Sequence, residues 1–284
     1  MTIRIFTIAT NYYKEYFIKY FLPTVNNIFP NYIKEIILFS DGLQEYDDKI
    51  FENTCVHVKH IYDLYSFDIQ FNKFNFVNQE LKNCDDNDLL MWIDSDTIFC
   101  HNEFGESFIL DNYMSDNVFI AEHPNYYIEY VYNPNYIQDR INEYSNELNE
   151  GIFTVNEVNK PELITSFCYF NKQSFNTFFN IYNSYIKEMN LQVPRIMPKL
   201  NDEAIVNYMY YNDIGNISGK FHMTMNVNIE NNTFNKNIAY IPSLNDIIGI
   251  SEDCYIELNN ISDLVICNQK FDTSIKSQNK YHFQ

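Results

Sequence analysis

At 284 residues and 34.0 kDa the chain can form one large domain or two small ones, and a chain near that size buries about 75% of its unfolded surface. Hydrophobic residues make up 46%, with 24 Tyr and 24 Phe, a globular composition that excludes intrinsic disorder. The net charge of −19 repels nucleic acid and anionic lipid, and 6 Gly leave little for glycine-rich phosphate loops; neither G-x-G-x-x-G nor a P-loop occurs.

In chain order, Ile3 to Ala9 reads as a first buried strand, broken at Thr10-Asn11-Tyr12-Tyr13. Phe17, Tyr20, Phe21, Val25 and Ile28 then recur at helical spacing, and Pro30 ends that helix. Glu35 to Ser40 is a second strand, closed by the turn pair Asp41-Gly42. Cys55 to Ile61 is a third. Its His57 and His60 are three apart, so a strand points them to opposite faces, which argues against a histidine metal pair. Phe71, Phe74, Val77 and Leu81 mark a second helix.

Leu89 to Ile93 follows a polar run as five apolar residues, a strand buried on both faces. Asp94 and Asp96 follow at its carboxyl end, where open α/β sheets collect ligands. Two carboxylates at i and i+2 can face the same way, and such oxygen ligands suit Mg²⁺ or Mn²⁺ with phosphate. Asn117 to Glu122 is a short strand ending at His123-Pro124, and residues 125–160 read as a long polar excursion, a lid or acceptor-facing loop. Leu163 to Phe170 is strand-like. Phe175, Phe178, Phe179, Tyr182, Ile186 and Met189 fit a helix, and Asn201-Asp202 opens another, Glu203 to Tyr211. Past Asn212 come short strands and turns, including Lys220 to Val227.

Strands alternating with helices predict an α/β fold, a mostly parallel central sheet with helices on both faces. Residues 1–212 are expected to form a single Rossmann-like domain, with 213–284 a C-terminal extension packed on it. No apolar run reaches the length of about 18 residues that spans a bilayer, and no signal peptide is evident. The six cysteines (Cys55, Cys84, Cys100, Cys168, Cys254 and Cys267) include no C-x-x-C pair. Reduced thiols and a cytoplasmic location are the expectation.

Together these segments resemble glycosyltransferase family six, the family of the blood-group A and B transferases and the α1,3-galactosyltransferases, with the soluble bacterial members closest in layout. The likeness covers roughly residues 3 to 212. Thr7-Ile-Ala-Thr-Asn-Tyr-Tyr13, which includes Thr10, looks like the family segment ending in a tyrosine that contacts uracil, at the place of Tyr13. Asp94-Ser95-Asp96 coincides with the family's metal-binding D-x-D, and His123-Pro124 resembles an acceptor-side His-Pro. Asn201-Asp202-Glu203 stands where the family has His-Asp-Glu; Asp202 matches the residue that holds the donor sugar and Glu203 the proposed nucleophile or cation stabiliser.

The chain departs from the family pattern at three places. Lys73-Phe74 replaces an arginine-phenylalanine pair and loses the bidentate fork for phosphate. Asn201 replaces a histidine, and Ser166-Phe167 stands where the family lines its sugar pocket with glycines. The resemblance implies a GT-A fold and a metal-dependent retaining transferase. It would move a galactose- or N-acetylgalactosamine-type hexose from a UDP-sugar to a glycan or glycolipid acceptor. Asp94 and Asp96 would hold Mn²⁺ or Mg²⁺, and Thr10, Tyr13, Lys73, Asp94 and Asp202 would lie on the donor side.

Two other readings compete. An apolar strand followed by D-x-D also begins the haloacid-dehalogenase-like phosphohydrolases, with Asp94 as nucleophile. They carry Thr two residues after the second Asp, whereas here Ile98 stands there and Thr97 comes one too early. The many aromatic residues also fit a non-catalytic carbohydrate-binding protein.

Overall fold

The computed structural model describes residues 1–11, 13–61, 66–95, 97–99, 103–122, 142, 160, 162–192, 202–220, 227–228, 249–250 and 256–257. Its centre is an eight-stranded mixed sheet. The strands are β1 (Ile3–Ile8), β2 (Lys34–Ser40), β3 (Ile50–Phe51), β4 (Thr54–His60), β5 (Leu89–Ile93), β7 (Val118–Glu122), β8 (Leu163–Phe170) and β9 (Ile217–Lys220). A two-residue strand, β6 (Ile98–Phe99), lies outside this sheet. The spatial order is β3-β4-β2-β1-β5-β8-β7-β9. Strands β4, β2, β1 and β5 run parallel, and β7 pairs parallel with β9. Strand β8 is antiparallel to both β5 and β7, and β3 to β4. A buried strand's composition does not encode its direction, so the sequence pattern gave no sign of this inserted antiparallel strand.

The central strands are largely apolar on both faces because both faces are covered. Ile3, Ile5, Ile36, Leu38, Leu89, Met91 and Ile93 build one core with Phe17, Phe21 and Val25 of the first helical run and Ile109 of a later helix. The alternate residues Phe6, Ile37, Phe39, Leu90 and Trp92 build the second core. That second core is capped by three helices, which supply Phe74, then Phe175, Phe178 and Tyr182, then Ile205, Val206 and Met209. This is the period-two signature of a sheet sandwiched between helical layers.

The helices are α1 (Tyr13–Tyr16), α2 (Leu22–Thr24), α3 (Ser66–Glu80), α4 (Glu103–Asn112), α5 (Lys172–Gln192) and α6 (Asp202–Tyr211). The first run departs from the regular helix expected. A π turn, Phe17–Phe21, separates α1 from α2, and a 3₁₀ turn, Val25–Asn27, ends the run. Pro23 explains the widening: it has no N–H for the Lys19 carbonyl and its ring crowds that carbonyl. The Leu22 N–H instead donates to the Phe17 carbonyl, five residues back. Ile28, expected inside the helix, is extended, and Phe29 takes a positive φ of 47°.

Strands β1, β2, β4, β5, β7 and β8 and helix α6 fall within two residues of their expected positions, while α3 begins five residues before Phe71 and α5 runs three residues beyond Phe175 and Met189 at its two ends; β3, β6 and α4 were not expected, and β9 ends where a strand from Lys220 to Val227 was expected to begin. His57 and His60 have separate partners, Asp48 and Gln44 respectively. Strand β9 belongs to the main sheet, so the segment past residue 212 begins inside the domain's own architecture. Among the described residues no helix is long and apolar enough to cross a membrane. The excursion at 125–160 lies outside the described residues, apart from positions 142 and 160.

Candidate functional site

The chain leaves β1 to build β2 and β4 on one side, then returns to build β5 on the other. Crevices open at the carboxyl ends of strands where the winding reverses in this way. The ends of β1 and β5 lie side by side, through Phe6 against Trp92, and Ala9-Thr10 and Asp94 follow them directly. Thr10 is buried, and its carbonyl accepts the Tyr13 N–H at 3.0 Å, so a tight turn carries Tyr13 to the start of α1. Asn11 takes a positive φ of 49°, which an asparagine tolerates better than most residues.

Asp94 is held from two directions. Its carboxylate Oδ1 accepts the indole N–H of Trp92 at 2.8 Å. Its backbone N–H donates to the Ser166 carbonyl at 2.9 Å, tying the end of β5 to β8. Strand β8 is irregular at this level. Ile120 pairs with Cys168 but the next residue, Ala121, pairs with Ile164. The segment 165–167 therefore bulges away from β7, and bulges of this kind re-aim side chains beside functional sites.

Lys73 reaches into that bulge from α3. Its Nζ lies 2.7 Å from Asp202 Oδ2, donates to Thr165 Oγ1 at 2.7 Å and to the Thr165 carbonyl at 3.2 Å, and sits 5.7 Å from the Trp92 ring centroid. The ammonium and carboxylate are almost wholly buried, with side-chain exposures of 7% and 3%. Burial opposes the lysine charge, but Asp202 and then Asp94 outweigh it and hold its pKa above the ordinary lysine value. Sequence reasoning gave Lys73 a phosphate-facing role. In the structure its ammonium pairs with the buried carboxylate of Asp202.

Helix α6 is positioned by Asn207. Its amide accepts the Leu163 N–H at 2.7 Å and donates to the Leu163 carbonyl at 2.8 Å and to the Glu203 carbonyl at 3.0 Å. One buried side chain thus fastens the first turn of α6 to the start of β8. Asp202 and Glu203 occupy that first turn, where the helix dipole favours acids. Asp202 faces inward and Glu203 stays partly exposed.

Of the expected site residues, Lys73 and Asp202 are in direct contact, and Asp94 lies within electrostatic range of Lys73. Thr10 and Tyr13 stand at the neighbouring strand end, and Glu203 adjoins Asp202. Asp96 and His123 lie outside the described residues. Sequence reasoning missed Trp92, Thr165 and Asn207. The one tryptophan, two residues before Asp94 and so on the same strand face, was a legible signal. Nothing in the sequence marks Thr165 or the bulge.

Chemically, the crevice offers a half-exposed carboxylate at a strand end and two acids at a helix start, and a buried cation offsets part of their charge. Such hard oxygen donors fit Mg²⁺ or Mn²⁺ better than soft metals. No protein-family model matches the chain, and no curated protein matches it at a significant level.

Proposed function

We propose that the chain is a metal-dependent retaining glycosyltransferase of the GT-A type, acting on a UDP-sugar and a carbohydrate acceptor. The observation that carries this reading is the buried Lys73–Asp202 pair at the start of α6 lying within electrostatic range of Asp94 after β5, beside the reversal of strand order. A sugar-nucleotide donor needs that combination: a cation site for its diphosphate and a carboxylate under its anomeric carbon.

In this reading Asp94, whose carboxylate accepts the Trp92 indole N–H, and Asp96 would hold Mn²⁺ or Mg²⁺. A cation held by these carboxylates would supply Lewis-acid stabilisation of the diphosphate's charge. Tyr13 stacks on or borders the base at the end of β1. Asp202, fixed by Lys73, turns toward the donor hydroxyls. Glu203 supports positive charge at the anomeric carbon or attacks it directly, while the acceptor enters on the leaving-group face. Lys73 keeps the paired acids from repelling one another.

The test is donor binding and turnover on one preparation. UDP with Mn²⁺ is expected to raise the melting temperature, and UDP with a chelator to do little. Ligand at about 100 times its dissociation constant adds roughly 2.7 kcal/mol. Glu203→Gln is expected to slow transfer or donor hydrolysis by two or more orders of magnitude, about 3 kcal/mol or more of barrier. Mn²⁺–UDP affinity should change less than about threefold, because that side chain acts mainly in the transition state. Equal stabilisation by UDP in chelator, or full turnover by Glu203→Gln, would overturn the proposal.

A further inference from the structure

The opposite flank of the sheet brings together a second set of metal-ligating side chains. Cys55 and His57 alternate on β4 and therefore face the same way. The loop before β3 folds over them. Its Asp48 N–H donates to the Val56 carbonyl at 2.8 Å, the Val56 N–H donates to the Lys49 carbonyl at 2.9 Å, and Asp47 accepts the Val58 N–H at 2.8 Å. Asp48 itself holds a positive φ of 56°. Its carboxylate comes within 3.2 Å of His57 Nδ1. One thiol sulphur, one imidazole nitrogen and one carboxylate oxygen all lie within 4.8 Å of one another.

We propose that Asp48, Cys55 and His57 form a cation site for Zn²⁺, with water completing a tetrahedral shell. The donor set selects the metal. Thiolate and imidazole suit zinc and cobalt and are poor partners for Mg²⁺ or Ca²⁺. Zinc bonds of about 2.0 to 2.3 Å place ligand atoms roughly 3.3 to 3.8 Å apart, so rotamer adjustments suffice to close the site. Cys55 and His57 are partly exposed and Asp48 is exposed at 81%, which leaves the fourth position to solvent.

The surrounding charge favours a cation as well. Burial raises the Cys55 thiol pKa, and Asp48, Glu35 and Asp47 raise it further. That concentration of negative charge opposes a bare thiolate and is offset by a divalent ion. The site is separate from the β1–β5 crevice. β4 and β5 are three strand spacings apart in the sheet order, about 14 Å. Bound zinc would clip the β2–β3 loop onto β4 beside the short edge strand β3, whose Ile50 is exposed.

Cobalt titration of the full chain tests this directly, because thiolate-bound Co²⁺ gives a near-ultraviolet charge-transfer band. The expected result is one such band, displaced by one equivalent of Zn²⁺, retained in Asp94→Asn and absent in Cys55→Ser. His57→Ala and Asp48→Asn should each weaken zinc binding, His57→Ala by more than about a hundredfold, since even outer-shell changes lose about ten- to a hundredfold. No band in the wild-type protein, or a band undiminished in Cys55→Ser, overturns the site. Unchanged zinc affinity in His57→Ala overturns it too. None of the three positions is buried, so these variants keep the core intact.

Discussion

Strand β5 is flanked by two aspartates that the fold treats differently. Asp88, just before its first residue, accepts the Thr2 N–H at 2.9 Å, the Arg4 Nε–H at 2.8 Å and the Asp85 N–H at 3.0 Å. Arg4 in turn pairs with Glu35 of β2. Asp94, just after the last residue of the strand, accepts the Trp92 indole N–H and is half-exposed. The first carboxylate is ringed by donors that pin β1, β5 and the preceding turn, as a structural acid should be. The second lies at the carboxyl end of β5, where the winding of the sheet reverses. Nearby, the buried Lys73 ammonium pairs with Asp202 and is within electrostatic range of Asp94. The contrast separates a carboxylate that holds the sheet together from one left partly exposed at a strand end.

The largest effect expected is from breaking the buried pair. Lys73→Met leaves Asp202 uncompensated and should destabilise by about 3–5 kcal/mol. Lys73→Met/Asp202→Asn should recover a substantial part of that, because the stranded charge is gone. Denaturant midpoints of the three proteins decide it, and a loss below about 1 kcal/mol for Lys73→Met would mean the pair is solvated. The sign with pH also follows. The folded lysine pKa is raised, so the stabilisation is complete below the unfolded value of about 10.4 and fades only as pH climbs through the folded one.

The amino-terminal acid comes next. Asp88→Ala removes three hydrogen bonds to a charged acceptor and should lower stability by about 2–3 kcal/mol, with the crevice chemistry untouched. Burial alone would raise the Asp88 pKa, but Arg4 and the Thr2 and Asp85 N–H groups hold it below the ordinary carboxylate value. Its stabilisation is therefore present above about pH 4 and is lost as pH falls through the depressed folded value. Asp88→Asn should flatten the acid limb of a stability–pH curve. An unchanged limb would assign acid sensitivity to other groups.

Much of this contrast was legible in the sequence, for a physical reason. Buried parallel strands must be apolar on both faces, so Leu89–Ile93 announced itself, and a polar residue directly beyond such a run must sit at a strand end. Helix α5 was equally plain because Phe175, Phe178, Phe179 and Tyr182 keep one apolar face. What stayed hidden depends on contacts distant in sequence. Lys73 and Asp202 are 129 positions apart by subtraction of their numbers, and no local pattern pairs them. The reversed direction of β8 and its bulge follow from how a long connection returns, which periodicity does not record. Asp48, Cys55 and His57 escaped because the spacing of His57 and His60 drew attention to the wrong pair, while the third ligand came from the preceding loop.

The smallest effect, and the sharpest probe of the crevice, concerns Thr165. Its hydroxyl is one of three partners of the Lys73 ammonium, beside its own carbonyl and Asp202. Thr165→Val keeps the branched shape and removes only the acceptor. Because two partners remain, the expected loss is about 1 kcal/mol, the ordinary net value of one hydrogen bond. A double-mutant cycle with Lys73→Met isolates that bond, since the loss should vanish when the ammonium is already absent. If the bulge at 165–167 exists to steer Lys73 under Asp202, Thr165→Val should also lower turnover more than its modest loss of stability explains, through a loosened Asp202. If the bulge is only a packing irregularity, the cycle shows no coupling and turnover per folded molecule stays at the wild-type value. Measuring both on the same variants distinguishes a bulge that serves the crevice from one that merely fits the sheet.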